Sequence, residues 1–331
     1  MGILHLAADQ QTWAPELFQL LRRVSLGDPI EQDGAAFVPL ILDDLAAAPD
    51  PATPASPATD AELLEEALQA GHTRVDEISA HGHVPELRVE HGGKRPLLLL
   101  DGEQVVGGKQ NRIFNTSFLV LPGASVVVPV SCVEQGRWGR SGRFHASEGT
   151  LYASARSKKL RTVTREAQTT GRYRTNQGEV WADVSDFLES TRTMSVTNAF
   201  EEGTRVRARE KRASLERLKP LPRQVGLALV RGDRLVSLDL FGSPELYARA
   251  WKKVGQGLVI DEDAAGGGAS GAASDPRDTV TRTLRRLVDG TGKRLRPSEG
   301  CGETLHGGTP DVNVGAALDG GALYHALIAA S

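Results

Sequence analysis

Leu97-Leu98-Leu99-Leu100-Asp101-Gly102-Glu103-Gln104-Val105-Val106 is the stretch on which the fold turns. Asp-Gly between two apolar runs is the favoured chemistry of a two-residue β-hairpin, because both turn positions need positive φ. The same grammar recurs along the chain. Phe118 to Leu121, Pro122-Gly123 and Ser125 to Val130 read as a second hairpin. Val225 to Val230, Arg231-Gly232-Asp233 and Leu235 to Leu240 read as another, and Val314 to Leu318, Asp319-Gly320 and Leu323 to Ile328 close the chain with one more. Val126, Val127 and Val128 in succession predict a strand covered on both faces. The repetition hints at internal duplication, and independent hairpins explain it equally well.

Helical patterns separate these runs. Leu17, Leu20 and Leu21 predict a short amphipathic helix, followed by a strand from Ala36 to Leu42. Pro51, Pro54 and Pro57 mark a linker. Thr59 is placed to cap the next helix with Glu62 as the reciprocal acid, Leu63, Leu64, Ala67 and Leu68 as its buried stripe, and Gly71 as its end. Leu160, Val163 and Ala167 share one helical face, with Lys158, Arg161 and Arg165 opposite. Asn176 and Glu179 open a helix whose inner face is Val180, Trp181, Val184, Phe187 and Leu188. A charged helix follows from Glu201 to Leu218, and Ser243-Pro244 opens the next, anchored by Leu246 and Trp251. The fold class is therefore α+β, an antiparallel β-rich domain built from hairpins, with a helical insertion between about His145 and Lys219. The expected organisation is an N-terminal helix, strand and Pro-rich linker (1–58), a main α+β domain (59–260), a flexible Gly/Ala-rich insert (261–309) and a C-terminal hairpin packing on the main domain (310–331).

Composition narrows the class. The chain has 331 residues, 40% apolar and 24% charged, with mean hydropathy −0.27. No apolar stretch approaches the roughly 20 residues that span a bilayer. Met1 to Pro15 lacks a basic region followed by an apolar run, and Cys132 and Cys301 are too few for a disulfide framework. These features point to the cytoplasm and away from a membrane. A net charge of −3 argues against a dedicated nucleic-acid binder. Yet ten basic residues between Arg137 and Arg174 face only Glu148 and Glu166. Such a positive segment points to an anionic partner.

Three strings carry a resemblance: Asp101–Phe118 (DGEQVVGGKQNRIFNTSF), Val128–Trp138 (VPVSCVEQGRW) and Asn176–Trp181 (NQGEVW). Pro85–Glu90 and Leu238–Tyr247 add to it. Together they resemble the ARG and rhodanese-phosphatase-superfamily-associated protein domain, where ARG stands for ADP-ribosylglycohydrolase. The resemblance runs from about Leu26 to Ile260, with the last hairpin as a terminal match, and the segment from Asp261 to Thr309 departs from it. It implies a domain of unknown function set in ADP-ribose or phosphate metabolism.

Candidate chemistry clusters in two of these strings. Lys109, Gln110, Asn111 and Arg112 combine two cations and two amides after a strand, with Asn115 and Thr116 close by. They suit a phosphate or carboxylate, although the spacing is not that of a nucleotide P-loop. The plainer reading is a loop whose amides satisfy the backbone. Cys132 with Arg137 five residues on resembles a rhodanese anion loop, where the arginine would favour the thiolate. Against this, Trp138 to Gly142 does not start a helix, Glu134 would repel an anion, and a strand cysteine is commonly just buried. Glu134 is preferred over Glu103 and Glu179 for acid–base work, since Glu179 is explained as a capping residue. Trp138 is placed to stack on a base, whereas Trp181 reads as core. His81, His83 and His91 form no metal signature. The Lys158/Arg161/Arg165 face reads as solvated, and no RNA-recognition pattern accompanies it.

The expectation is one polar cleft for an anionic, nucleotide-like ligand related to ADP-ribose or NAD. Lys109, Gln110, Asn111, Arg112, Asn115, Gln135, Arg137 and Trp138 would hold the ligand, and Glu134 or Cys132 would react if the protein is an enzyme of hydrolase or phosphatase-like type. A structural protein-interaction domain is the other reading. No metal site or cofactor is assigned, and protein partners are unspecified.

Overall fold

The computed structural model describes residues 3, 12–43, 60–79, 85–139, 142–261 and 274–331. Pro51, Pro54, Pro57, Thr59, His81, His83 and Gly266 to Gly268 lie outside these residues. Nine strands form the largest sheet. In spatial order they are Val24–Leu26, Ala35–Leu42, Gln224–Arg231, Arg234–Phe241, Ala322–Ala330, Val312–Asp319, Glu303–Thr309 and Thr291–Leu295, with Ile30–Gln32 paired to Ala35–Leu42. The two hairpins expected in this sheet are present. In the last one, Asp319 pairs with Ala322, and the turn residues Gly320 and Gly321 have φ of 55° and 79°. Positive φ at both positions matches the right-handed strand twist, and glycine adopts it without strain.

The middle of the chain differs from the sequence reading. Leu97–Leu99 and Glu103–Val106 do not pair. The first lies between Phe118–Val120 and Glu62–Leu63 in a three-stranded sheet, and the second between Arg112–Phe114 and His145–Thr150 in a six-stranded one. Asp101-Gly102 is thus a corner between sheets. The Glu103 N–H donates to the Leu100 carbonyl at 3.0 Å, and of the two turn residues only Gly102, at φ 70°, is left-handed. The reason lies in Asp101, which is 1% exposed and ion-paired to Lys159 Nζ at 2.8 Å. A buried carboxylate with a partner cannot sit at a solvated hairpin tip. Pro122-Gly123 is a second corner of this kind, since Ser125–Cys132 pairs with Glu86–His91 and Arg112–Phe114. Val127 is 41% exposed, so this strand is covered on one face there, not both.

Helices Ala153–Thr170 and Pro244–Val259 cover one face of the large sheet, packing with Phe37, Leu227, Leu229 and Phe241. Pro15–Leu21 and Pro276–Arg286 cover the other, against Val38, Ala228, Val230 and Leu238. Two covered faces explain why these strands read as continuous apolar runs. Asn176 caps Gln177–Ser190 by accepting from Gly178 and Glu179 N–H at 3.1 and 3.4 Å. Ser243 caps Pro244–Val259 by accepting from Leu246 N–H. The charged stretch forms two helices, Phe200–Glu210 and Arg212–Glu216, broken at Lys211. The helix expected after Thr59 starts at Leu64, because Glu62 and Leu63 are committed to the strand beside Leu97. Within the segment 261–309, the residues from 274 on contribute helix Pro276–Arg286 and two strands of the large sheet.

Candidate functional site

The two strings singled out by sequence do meet. Strand Arg112–Phe114 pairs with the end of Ser125–Cys132, with Cys132 opposite Arg112, which brings the 107–111 loop against residues 133–137. Arg137 is the hub. Its Nε donates to Glu134 Oε1 at 2.8 Å and its Nη2 to Glu134 Oε2 at 2.6 Å, while Nη1 and Nη2 reach the carbonyls of Gly108 (2.8 Å) and Gly107 (3.1 Å). Asn111 Oδ1 accepts from Arg137 Nη2 and from Gly107 N–H at 3.0 Å each. Glu134 Oε2 also accepts from Asn111 N–H, Glu134 Oε1 from Thr197 Oγ1, and the Glu134 carbonyl from Gln110 Nε2. Burial would push the Glu134 carboxyl up, but these bonds, above all from Arg137 and Thr197, outweigh it and hold Glu134 below the usual carboxylate range. The result is a self-satisfied clasp. Its polar groups are mostly engaged with one another, and Glu134 is a saturated acceptor.

Other expected residues have their own partners. Asn115 Nδ2 donates to the Tyr173 carbonyl and its Oδ1 accepts from Ser131 Oγ. Cys132 is fully buried, its thiol donates to the Glu134 carbonyl at 3.2 Å, and burial pushes the thiol up against the opposing pull of Arg112. Arg112 is also fully buried; Nη1 reaches the Asn111 carbonyl at 3.4 Å, while Nε and Nη2 have no hydrogen-bond partner among the described residues. Lys109, Gln135 and Trp138 face outward, with Lys109 Nζ 5.2 Å from the Trp138 ring centre and Trp138 51% exposed. Glu179 accepts from Asn176 Nδ2 in the capping box, and His91 is engaged by Thr73 and the Arg95 carbonyl.

Two residues of the basic segment, Arg156 and Lys159, turn inward, while Arg143, Lys158, Arg161, Arg165, Arg172 and Arg174 are exposed. Arg156 makes a two-pronged ion pair with Asp239 at 3.0 and 2.7 Å, and Lys159 pairs with Asp101. His325 Nε2–H donates to Asp239 Oδ1 at 3.0 Å, and its Nδ1 lies 2.8 Å from Ser117 Oγ. Ser117, His325 and Asp239 thus have the connectivity of a catalytic triad, yet all three are 0% exposed, so no substrate reaches them. The network ties helix Ala153–Thr170 to strands of two sheets. Sequence reasoning missed it, although an aspartate inside the apolar run Leu235 to Leu240 was a signal.

A wide opening lies elsewhere. A cleft of about 930 Å³ separates helices Phe200–Glu210 and Arg212–Glu216 from helix Pro244–Val259, with His145 to Glu148 and helix Leu64–Gln69 as its other walls. Arg205, Arg209 and Arg212 project into it at i, i+4 and i+7, faced by Lys252. All four are exposed and make no ion pair among the described residues. Deeper in, Lys253 Nζ is 2.6 Å from Glu103 Oε1, beside Gln256. Thr204 Oγ1 is buried there without a hydrogen-bond partner among the described residues. Glu201 accepts from Ser147 Oγ at 2.7 Å, and Glu66 on the far wall pairs with Arg249. The clasp positions this wall: Phe200 N–H donates to the Val133 carbonyl at 3.0 Å, and Ala199 bridges Glu134. A smaller cleft of about 360 Å³ holds Lys158, Arg161, Arg231 and Arg234, with Lys158 paired to Asp183. Sequence reading took 201–218 only as a charged helix; the four-then-three spacing of its arginines was the available sign of a cationic stripe.

Fold and site define an α+β protein of mainly antiparallel sheets, with one short parallel pair between Glu62–Leu63 and Leu97–Leu99, and an arginine-lined cleft; none of its described helices is long and apolar enough to cross a membrane. The family model of the ARG and Rhodanese-Phosphatase-superfamily-associated Protein domain matches residues 23–328, and the chain belongs to that family, a domain of unknown function. No curated protein and no solved structure matches the chain.

Proposed function

We propose that the protein is a cytoplasmic binding module for an anionic, nucleotide-like ligand of the ADP-ribose or NAD class, seated in the 930 Å³ cleft. The observation that carries this is the stripe Arg205, Arg209 and Arg212 opposite Lys252, four cations without ion-pair partners among the described residues. Cations left unpaired across a cleft raise the local concentration of anions, and guanidinium groups match phosphate in two-point bonds. The carboxylates of the opposite wall suit ribose hydroxyls, which donate. The volume falls within the range of about 300–1,000 Å³ common for small-ligand sites. Burial of both cysteines as free thiols suits a reducing compartment.

The outward groups of the clasp are the competing place for the same ligand. The Lys109–Trp138 contact offers a charge and a stacking face, and Gln135 lies beside them. A thermal-shift series with ADP-ribose, NAD, ATP and inorganic phosphate tests both. A ligand at 100 times its Kd adds about 2.7 kcal/mol, which is several degrees at about 2–4 °C per kcal/mol. The expected result is a shift with the nucleotides that disappears in Arg205→Glu/Arg209→Glu. No shift with any of them would favour the protein-interaction reading.

A further inference from the structure

We infer that the same cleft is an active site, in which Glu201 is the general acid and Glu148 the general base for hydrolysis of a glycosidic bond in a phosphorylated sugar. This rests on the binding reading above. Glu201 lies one helical turn before Arg205 on the cleft-lining face, about 6 Å along the axis at about 1.5 Å per residue. A phosphate held by Arg205 and Arg209 therefore sets its own sugar beside Glu201. Ser147 Oγ engages Glu201 Oε2 at 2.7 Å and leaves Oε1 for the ligand. Glu148, the next residue on that strand, is exposed to the same cleft.

The groups facing Glu201 are Arg205 on its own helix and His145, Ser147 and Glu148 on the strand. Burial is the largest influence and pushes Glu201 up, Glu148 adds to it, and Ser147, Arg205 and His145 only partly oppose it. A carboxyl raised by burial beside a second carboxylate is the kind of pairing that glycosidic hydrolysis uses. The bond from the anomeric carbon to the leaving atom breaks as that atom takes the proton of Glu201. Water forms the new C–O bond and loses its proton to Glu148. No oxidant, reductant or other co-reactant is needed.

The experiment incubates the protein with AMP and with ADP-ribose, whose adenine leaves only with a proton, and measures release of adenine by chromatography, with thermal shift recorded on the same samples. The expected result is release that slows as pH rises and falls at least 100-fold in Glu201→Gln, while the ligand-induced shift persists. Glu148→Gln, at an exposed position, is expected to slow release with the fold intact, which covers the case in which the Glu201 variant fails to fold. A retained shift with no release, or full release by both variants, would overturn the catalytic inference and leave the binding reading standing. Absence of any shift would remove both.

Discussion

At the scale of single residues, Arg137 shows how a motif can be found and its role misjudged. Its guanidinium is spent on Glu134, Asn111 and two carbonyls, so truncation leaves Glu134, 4% exposed, without its cation. Arg137→Ala is expected to cost about 2–3 kcal/mol, read as a lower urea midpoint. Asp239 is more deeply committed. Burial would raise its carboxyl, but Arg156 and the His325 bond outweigh this and hold it at about 2. A depressed carboxyl stabilises the fold above its unfolded value near 3.9, and that contribution is lost as pH falls from about 4 toward 2. Urea titrations between pH 7 and 3 should therefore show a falling midpoint, with a smaller fall in Asp239→Asn. That variant should also lose about 3 kcal/mol at pH 7, since it leaves the buried Arg156 with only Asp101, 3.6 Å away and shared with Lys159, as a charge partner. The sequence showed that Lys109 to Arg112 and Cys132 to Arg137 are unusual polar strings. Whether their donors meet a ligand or one another depends on contacts between separated segments, which spacing does not encode.

At the scale of elements, helices were more legible than sheets. Caps at Asn176 and Ser243 are local chemistry, and both are present. Strand pairing is not local. Asp101-Gly102 carries the dipeptide of a hairpin, but its partner strands sit in different sheets because Lys159 and Arg156, more than 50 residues on, draw Asp101 inward. The loop from Gly107 shows a related constraint. Gly108 has φ 52°, and a Cβ there would lie 2.1 Å from the Phe144 ring, which is 7% exposed. Gly108→Ala should therefore destabilise by about 2–4 kcal/mol, with a melting temperature lower by several degrees in calorimetry. A wild-type melting temperature in that variant would contradict the packing described for this loop.

At the scale of the whole molecule, the nine-stranded sheet draws strands from residues 24–42, 224–241 and 291–330, so the first and last described strands share one layer while the residues between them build the smaller sheets and most helices. The cleft arises only from that assembly, between helices separated by the hairpin 224–241. Its arginine stripe was visible as a spacing, but the wall facing it was not. Isothermal titration of ADP-ribose into the wild type, Arg205→Ala/Arg209→Ala and Lys109→Ala/Trp138→Ala tests the central claim most directly. The cleft account predicts affinity lowered at least tenfold in the arginine pair and unchanged in the Lys109/Trp138 pair. Unchanged affinity in the arginine pair, with loss in the other, would contradict it and place the ligand on the clasp.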